Sequence, residues 1–205
     1  MQLIFNILYT TSIYLLLSSS FSVIYYTVKF FHIAHAAILT LSAYLGYLFI
    51  QQLNFPLFLS IILVIGCSTL LGLLLELIIY RHLRRRNSSA LILLIVSLGL
   101  YIVLQNLISL LWGDETKVIQ LGEIAVGKEI LGAFLTNIQI YTIIGCLSLF
   151  ICFSMFIKKS KIGCNLRAVG NNVSLSNIYG INSNRSIKLA FLIGSLLVSV
   201  VGILI

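Results

Sequence analysis

Charged residues are scarce in this chain of 205 residues: Asp, Glu, Lys and Arg together make up only 9% of it, whereas 60% is hydrophobic. An ordinary soluble domain is about 25% charged. A soluble fold of this size has too much surface to hide so much apolar area from water. In a lipid solvent the difficulty disappears, because apolar side chains can then face outward. The composition therefore excludes a soluble domain and favours an integral membrane protein.

Acidic residues are scarcer than basic ones, with 5 Asp and Glu against 13 Lys and Arg, for a net charge of +8. Such a charge can indicate nucleic-acid binding, but here the basic residues form short islands between apolar runs rather than one continuous face. One island spans residues 81–86, and the other comprises 158–161 with Arg167, Arg185 and Lys188. Islands of this kind set the orientation of a membrane protein, because Lys and Arg are retained in the cytoplasm.

Several site signatures are also missing. The single proline, Pro56, leaves the apolar runs uninterrupted, and the four cysteines show no metal-ligand spacing. The sequence contains no Gly-x-Ser-x-Gly, no His-Glu-x-x-His and no phosphate-binding Gly-x-x-x-x-Gly-Lys-Ser/Thr. We therefore expect no catalytic residues, no metal site and no cofactor in this chain, and any ATP that drives it must bind to a separate chain.

Six apolar segments meet or approach the roughly 20 residues that a helix needs to cross a bilayer. They run from about Ile7 to Val28, Phe30 to Ile50, Leu57 to Ile79, Ala90 to Trp112, Ile138 to Ile157, and Leu189 to Ile205. Strands of a membrane β-barrel would be shorter and would alternate polar with apolar residues, which these segments do not. The sequence predicts an all-α fold: a polytopic transmembrane helical bundle of about six spans, forming a single domain over residues 1–205.

The two basic islands fix a topology. Two spans separate them, so both fall on the same side, which we expect to be the cytoplasmic side of a bacterial plasma (inner) membrane. The loop 113–137 is then extracytoplasmic and carries four of the five acidic residues, namely Asp114, Glu115, Glu123 and Glu129. Counting back through three spans also places the N-terminus outside. A small hairpin around Gly127-Lys128 is a further expectation for the outer loop.

The loop 158–188 is longer than a plain connection requires. Within it, Asn165 to Tyr179 carries apolar positions that roughly fit a short amphipathic helix, and Gly180 supplies a stop signal. A short helix on the cytoplasmic face, between two spans, is a natural docking element for a soluble partner.

Polar residues inside the apolar segments are costly and so tend to have a purpose. His32 and His35 are three residues apart and share a helix face, which allows a metal pair, a proton relay or a polar patch hydrogen-bonded to neighbouring helices. The polar patch is favoured, because a zinc site needs three or four ligands. Glu76 lies close to Arg81, and we expect it to reach the interface and meet a basic neighbour. Gln105 and Asn106, an adjacent amide pair, fit helix packing and a polar path equally well.

Several stretches resemble one family, the membrane permeases of branched-chain amino acid importers driven by ATP-binding cassettes, which also includes urea and amide importers. The stretches are Phe31-His32-Ile33-Ala34-His35-Ala36 with Leu41-Ser42-Ala43-Tyr44-Leu45, Tyr80-Arg81-His82-Leu83-Arg84-Arg85, Ser97-Leu98-Gly99-Leu100 with Leu104-Gln105-Asn106 and Trp112-Gly113, Leu166-Arg167-Ala168, Gly180-Ile181-Asn182, and Ala190-Phe191-Leu192-Ile193-Gly194-Ser195. Their order and spacing cover nearly the whole chain. Two departures are His32, where the family usually has Asn, and Ala36, where it has Gly.

The resemblance implies partners: a second permease subunit in a homo- or heterodimer, cytoplasmic ATPase subunits, and an extracytoplasmic substrate-binding protein. It also implies that the short inner-loop helix couples to the ATPase, and we expect Arg167, Val169, Val173 and Gly180 to serve there. Family members continue for roughly two more spans, each about 20 residues across a bilayer, so we expect this chain to be truncated relative to the family.

The function that follows is a permease subunit that translocates branched-chain or related neutral amino acids by alternating access. For the substrate pathway we expect His35, Ser97, Gln105 and Asn106. A urea or short-amide permease of the same family remains an alternative, as do a non-transporting membrane scaffold and an intramembrane enzyme that uses His32 and His35.

Overall fold

A computed structural model of the chain describes residues 1–113, 115, 117–119, 128–130 and 133–205. The helices are α1 Gln2–Val28, α2 His35–Tyr47, α3 Leu57–Leu74, α4 Arg81–Arg85, α5 Ala90–Trp112, α6 Asn137–Lys159, α7 Lys161–Asn171, α8 Val173–Ile178 and α9 Ser183–Leu204. A π-helix, π1 (Leu48–Gln52), continues α2, and a second, π2 (Leu75–Tyr80), joins α3 to α4. Two short antiparallel strands, β1 Lys128–Ile130 and β2 Ala133–Leu135, pair Glu129 with Phe134.

Local capping residues explain where the later helices begin. A side-chain oxygen accepts a hydrogen bond from a backbone N–H of the first turn at Ser89, Thr136, Ser160, Asn172 and Asn182, the residues that precede α5 to α9. Thr136 and Gln139 form a reciprocal capping box, with bonds of 3.3 and 3.1 Å. Each cap satisfies a donor that the first helical turn leaves free, so these helix starts are specified locally.

Five helices in the described residues are long and apolar enough to cross a membrane: Gln2–Val28, Leu57–Arg85, Ala90–Trp112, Asn137–Lys159 and Ser183–Leu204. They confirm the predicted all-α polytopic bundle. The second predicted segment, about Phe30 to Ile50, differs from the expectation, because its helix begins only at His35. Lys29 ends α1 in a left-handed conformation with φ 57°, and residues 30–34 approach α2 without forming a regular helix.

Helix α9 occupies the centre of the bundle and packs against α1, α2 and α3. Of its most apolar 18 residues, 56% are buried, against 17–33% in the other four spanning helices. Small residues allow this close packing: a Cβ added to Gly72 of α3 would overlap Ser195 of α9, and one added to Gly202 of α9 would overlap Ser42 of α2. The centre is thus held by close backbone approach.

The two ends of the bundle are distinct. At one end the Gln2 side chain pairs with the backbone of Phe134 in β2, at 3.1 and 2.8 Å, so the N-terminus and the hairpin lie together. At the other end the Tyr26 hydroxyl lies 2.5 Å from Oδ1 of Asn171, which joins the end of α1 to α7. The N-terminus and the hairpin strand β2 therefore share one end, and the 158–188 loop lies at the other. The hairpin forms downstream of the predicted position, and residues 120–127 lie outside the described part of the chain.

Candidate functional site

A cluster of buried polar side chains lies where α1, α2, α5 and π2 meet. His32, His35, Ser20, Ser97 and Tyr80 are each at most 4% exposed. Ser20 Oγ of α1 lies 3.0 Å from Nε2 of His35. The Tyr80 hydroxyl and Ser97 Oγ lie 3.0 and 3.3 Å from Nδ1 of His32. These contacts form two hydrogen-bonded groups, Ser20–His35 and Tyr80–His32–Ser97, which lie side by side because the two histidine rings are 5.7 Å apart. We call the two groups together the buried network.

Ser97 explains why α2 starts late. Its hydroxyl accepts a hydrogen bond of 3.0 Å from the backbone N–H of Ala34, one residue before the helix. A helix that began at Phe30 would have to use this N–H group within its own ladder. The Ser97 side chain therefore acts as the cap of α2 and anchors the start of that helix against α5.

Aromatic rings enclose the His32 imidazole. The ring centroids of Tyr80 and Phe191 each lie 5.2 Å from that of His32, and Phe30 lies 6.1 Å away. Tyr80, Phe30 and Phe191 are among the largest fully buried side chains of the protein. The histidine is therefore held at the junction of the polar network with the main hydrophobic core.

Each histidine retains one ring nitrogen without a partner among the described residues, namely Nε2 of His32 and Nδ1 of His35. The ring centroids are 5.7 Å apart. A neutral imidazole has one donor and one acceptor, so each ring can offer one further hydrogen bond. Within the described residues, no three His, Cys, Asp or Glu side chains come together as metal ligands. The pair can bind polar groups or water, and the polar-patch interpretation describes its surroundings.

A second polar site lies farther along the same two helices. A cavity of about 260 Å³ is lined by Tyr44 of α2 together with Gln105 and Asn106 of α5. Gln105 Oε1 is buried without a partner among the described residues, whereas Asn106 Nδ2 donates to the carbonyl of Ile102 at 2.7 Å. The Tyr44 and Trp112 rings approach to 5.7 Å near the end of α5.

The predicted pathway residues thus form two groups. His35 and Ser97 belong to the buried network, and Gln105 and Asn106 line the cavity. Gln105 follows Ser97 by eight residues, which corresponds to about 12 Å along a helix. Ser97, Gln105 and Asn106 lie where α2 faces α5, and we call this line of contact the α2–α5 seam. His35 instead lies on the side of α2 that faces α1, where it contacts Ser20.

Glu76 is fully buried, and both of its oxygens accept hydrogen bonds from the Arg84 guanidinium, one of them at 2.9 Å. The expected basic neighbour is present, but it is Arg84 rather than the closer Arg81. The π-helical turns between Glu76 and α4 change the register that a regular helix would give. A bidentate pair of this kind keeps the buried carboxylate satisfied.

The 158–188 loop contains two helices rather than one. Asn172, with extended backbone at φ −155°, separates α7 from α8, and Gly180, at φ 80°, lies just beyond the end of α8. The Arg167 guanidinium donates to the carbonyls of Ile157 and Lys158, so it satisfies the end of α6. Val169 is only 1% exposed and packs into the main core.

The residues predicted for coupling therefore do not share one surface. Arg167 and Val169 attach α7 to the bundle, whereas Val173 is 45% exposed at the start of α8. Helix α8 and the turn after it expose four large apolar side chains, and we call this surface the α8 apolar face. It consists of Val173, Leu175, Ile178 and Tyr179.

Four residues of the buried network and its surroundings were not among the predicted pathway residues: Ser20, His32, Tyr80 and Phe191. The serine run of α1 and the His32–His35 spacing drew attention to two of them. Tyr80 stands beside the basic island, and Phe191 has an unremarkable apolar context. No local pattern could have found these two, because their positions depend on how α9 and π2 pack against α2.

Comparisons with known proteins agree with the architecture. The family model described as "Branched-chain amino acid transport system / permease component" matches residues 3–205. The chain is 27% identical to the high-affinity branched-chain amino acid transport system permease protein LivH of Escherichia coli K12, and also 27% identical to BraD of Pseudomonas aeruginosa, which carries the same description. It is 28% identical to LivH of Salmonella typhimurium. Each alignment covers 100% of this chain and 70% of the relative. No solved structure matches the chain. The match to the family model over residues 3–205 shows that the chain belongs to the permease component family of branched-chain amino acid transport systems.

Proposed function

We propose that this chain is the substrate-translocating subunit of an ATP-driven importer of branched-chain amino acids in a bacterial inner membrane. The relatives named above are described as high-affinity permeases for these substrates. The observation that carries the proposal is the α8 apolar face. Ile178 and Tyr179 are 80% and 78% exposed at the end of the bundle that carries the basic islands, which is the expected cytoplasmic end.

A soluble ATPase subunit is the partner that fits this surface. An exposed apolar patch on a short helix outside the spans favours docking with another protein. Helix α7 is fixed to the bundle, because Val169 is buried in the core and Arg167 binds the end of α6, and a single residue, Asn172, joins α7 to α8. Movement of an ATPase bound at α8 would therefore reach α6 and α1 directly. A second permease subunit and an extracytoplasmic binding protein complete the proposed assembly.

The α2–α5 seam is the proposed substrate pathway. A few polar side chains, Ser97, Gln105 and Asn106, line it within otherwise apolar helices, and polar groups placed in this way fix the orientation of a bound molecule. Alternating access requires the substrate to favour one conformation over the other through different contacts in each. The unpartnered Oε1 of Gln105 at one end of the seam and Nε2 of His32, whose Nδ1 lies beside Ser97, at the other end can supply such contacts.

The test is ATP-driven uptake by the importer reconstituted in vesicles. Ile178→Asp places a charge in the α8 apolar face, and we expect it to abolish leucine uptake while membrane insertion stays normal. Asn177→Asp is the control, because it adds the same charge and retains the acceptor that faces the Ser183 N–H at 3.4 Å. Normal uptake by Ile178→Asp would refute the docking role. Uptake of urea in place of leucine by the unaltered importer would refute the substrate assignment.

A further inference from the structure

A groove on the outside of the bundle runs between α1 and α6 and is closed at one end by α7. It encloses about 460 Å³. Its apolar wall includes Val23, Phe150 and Phe153, and its polar wall includes the hydroxyls of Ser22 and Ser154. Lys158 and Arg167 lie at the closed end. The groove is separate from the α2–α5 seam and plays no part in the proposed transport path.

The polar groups of the groove have unused hydrogen-bonding capacity. The hydroxyls of Ser18 and Ser19 donate to the carbonyl of Leu15. The hydroxyls of Ser22 and Ser154 form no hydrogen bond with any described residue. Arg167 uses two N–H groups on carbonyls and has five in all. The Lys158 ammonium forms no ion pair with any described residue, although its side chain lines the groove.

Among the described residues, the charged groups that line the groove are all positive. Of the acidic side chains that the structure describes, Glu115 lies at the opposite end, beside Tyr9 and Ile205. The other, Glu76, is paired with Arg84. Lys159 and Lys161 adjoin the groove residues in sequence and add to the positive charge. An anion at Lys158 and Arg167 would therefore meet no acidic side chain of the described residues.

The depth of the groove fits a lipid. Lys158 is the last residue but one of α6, and Ser22 lies six residues before the end of α1, about 9 Å along the helix. The cations thus lie at the expected cytoplasmic boundary. On α6, Ser154 lies four residues, about 6 Å, deeper than Lys158, and Phe150 lies another four residues deeper. This sequence of chemistries matches a phosphate, a glycerol backbone and an acyl chain in that order.

We propose that this groove binds one anionic phospholipid of the cytoplasmic leaflet, with its phosphate at Lys158 and Arg167 and an acyl chain along Val23, Phe150 and Phe153. The assignment uses the orientation proposed above but not the transport function. Attraction of the phosphate by two cations, one of them a fork-shaped guanidinium, selects an anionic headgroup over a zwitterionic one. Ser22 and Ser154 then donate to the ester oxygens.

Native mass spectrometry of the purified importer tests the site, with phosphatidylglycerol or phosphatidylcholine added at equal concentration. We expect the unaltered protein to retain phosphatidylglycerol in preference to phosphatidylcholine. Lys158→Gln should lower that retention at least fivefold, while the matched variant Lys159→Gln, one residue outside the groove, should leave it within twofold. Ser22→Leu, which fills the groove, should also abolish retention, and millimolar inorganic phosphate should not compete.

Three results would overturn the proposal. The first is an equal loss in Lys158→Gln and Lys159→Gln, because that would indicate a diffuse attraction to the basic end. The second is equal retention of both lipids. The third is a disulfide between Ser22→Cys and a cysteine placed in another subunit, because a protein helix would then occupy the groove. Leucine uptake measured on the same variants separates failure of the lipid site from failure of the transport assignment.

Discussion

The hydroxyl of Tyr80 lies 3.0 Å from Nδ1 of His32 in the interior of the bundle. The same nitrogen lies 3.3 Å from the hydroxyl of Ser97, so one histidine joins π2 and α5 to the segment that enters α2. π-Helical turns are rare and occur frequently at functional sites. A displacement of π2 would change the hydrogen bonds of His32 and with them the position of the α2 entrance.

Ser97→Ala should destabilise the protein and impair transport. The substitution leaves the buried Ala34 N–H without its acceptor, which costs about 1–3 kcal/mol of unfolding free energy. Thermal unfolding in detergent measures the change. Ser148→Ala is the control, because that exposed hydroxyl bonds only to the Gly145 carbonyl of its own helix. Equal melting temperatures for the two variants would contradict the capping role of Ser97.

Gln105→Leu should reduce the kcat/KM of leucine uptake at least tenfold while leaving the melting temperature nearly unchanged. The amide oxygen is buried beside the seam cavity and has no partner among the described residues, so it is available to substrate. Gln52→Leu makes the same exchange at an exposed position at the end of π1 and should transport normally. A similar loss in both variants would show that the effect is not specific to the cavity.

Glu76→Gln should lower the free energy of unfolding by about 3 kcal/mol, because it leaves the Arg84 cation without its buried partner. The other ion pair of the described residues supplies the control: Glu115 is exposed and lies 3.3 Å from Lys117. Glu115→Gln should change stability by less than about 1 kcal/mol. Denaturation of the two variants in the same detergent gives the comparison. A larger loss of unfolding free energy for Glu115→Gln than for Glu76→Gln would contradict the prediction.

Gly72→Ala should separate α3 from α9. The added methyl group would overlap the Ser195 side chain, and overpacking of this kind costs about 1–3 kcal/mol. Gly99→Ala makes the same change in α5, where a Cβ would have no neighbour within 4 Å, so it should be neutral or slightly stabilising. Melting temperatures in detergent distinguish the two, and an unchanged Gly72→Ala protein would rule out the close contact.

Labelling should reveal the orientation. In a cysteine-free background, a membrane-impermeant thiol reagent applied to intact cells should modify Lys117→Cys but not Lys159→Cys, because the basic islands are expected inside. Permeabilised cells should label both positions, which checks that each cysteine is accessible. The reverse pattern would place the N-terminus, and the hairpin with it, in the cytoplasm.

The spans themselves could be predicted from the sequence because each consists of about 20 apolar residues, and lipid imposes that length on any spanning helix. The exception is the segment that begins at Phe30. Its apolar composition suggested a helix, but the Ala34 N–H binds Ser97, which is 63 residues away in the chain. A long-range hydrogen bond of this kind leaves no local signature.

In the 158–188 loop, too, the sequence could not predict which single residues are buried and which are exposed. Apolar spacing predicted a helix near Asn165 to Tyr179, and two helices occupy that region. The spacing could not indicate that Val169 faces the core while Val173 is exposed, because the extended backbone at Asn172 rotates α8 relative to α7. The pathway residues were identified from polar residues in apolar surroundings, but only the packed structure shows that Ser97, Gln105 and Asn106 face α2, whereas His35 faces α1.

The central position of α9 has a consequence for biogenesis. This helix follows all the others described here in the chain, yet α1, α2 and α3 pack around it. During synthesis those three helices enter the membrane before their shared partner exists, and the faces that carry Ser20, Ser42 and Gly72 are open to lipid until then. Ribosomes halted before Ser183 should therefore yield inserted but loosely associated helices, and protease resistance should be acquired in one step once α9 has been released into the bilayer.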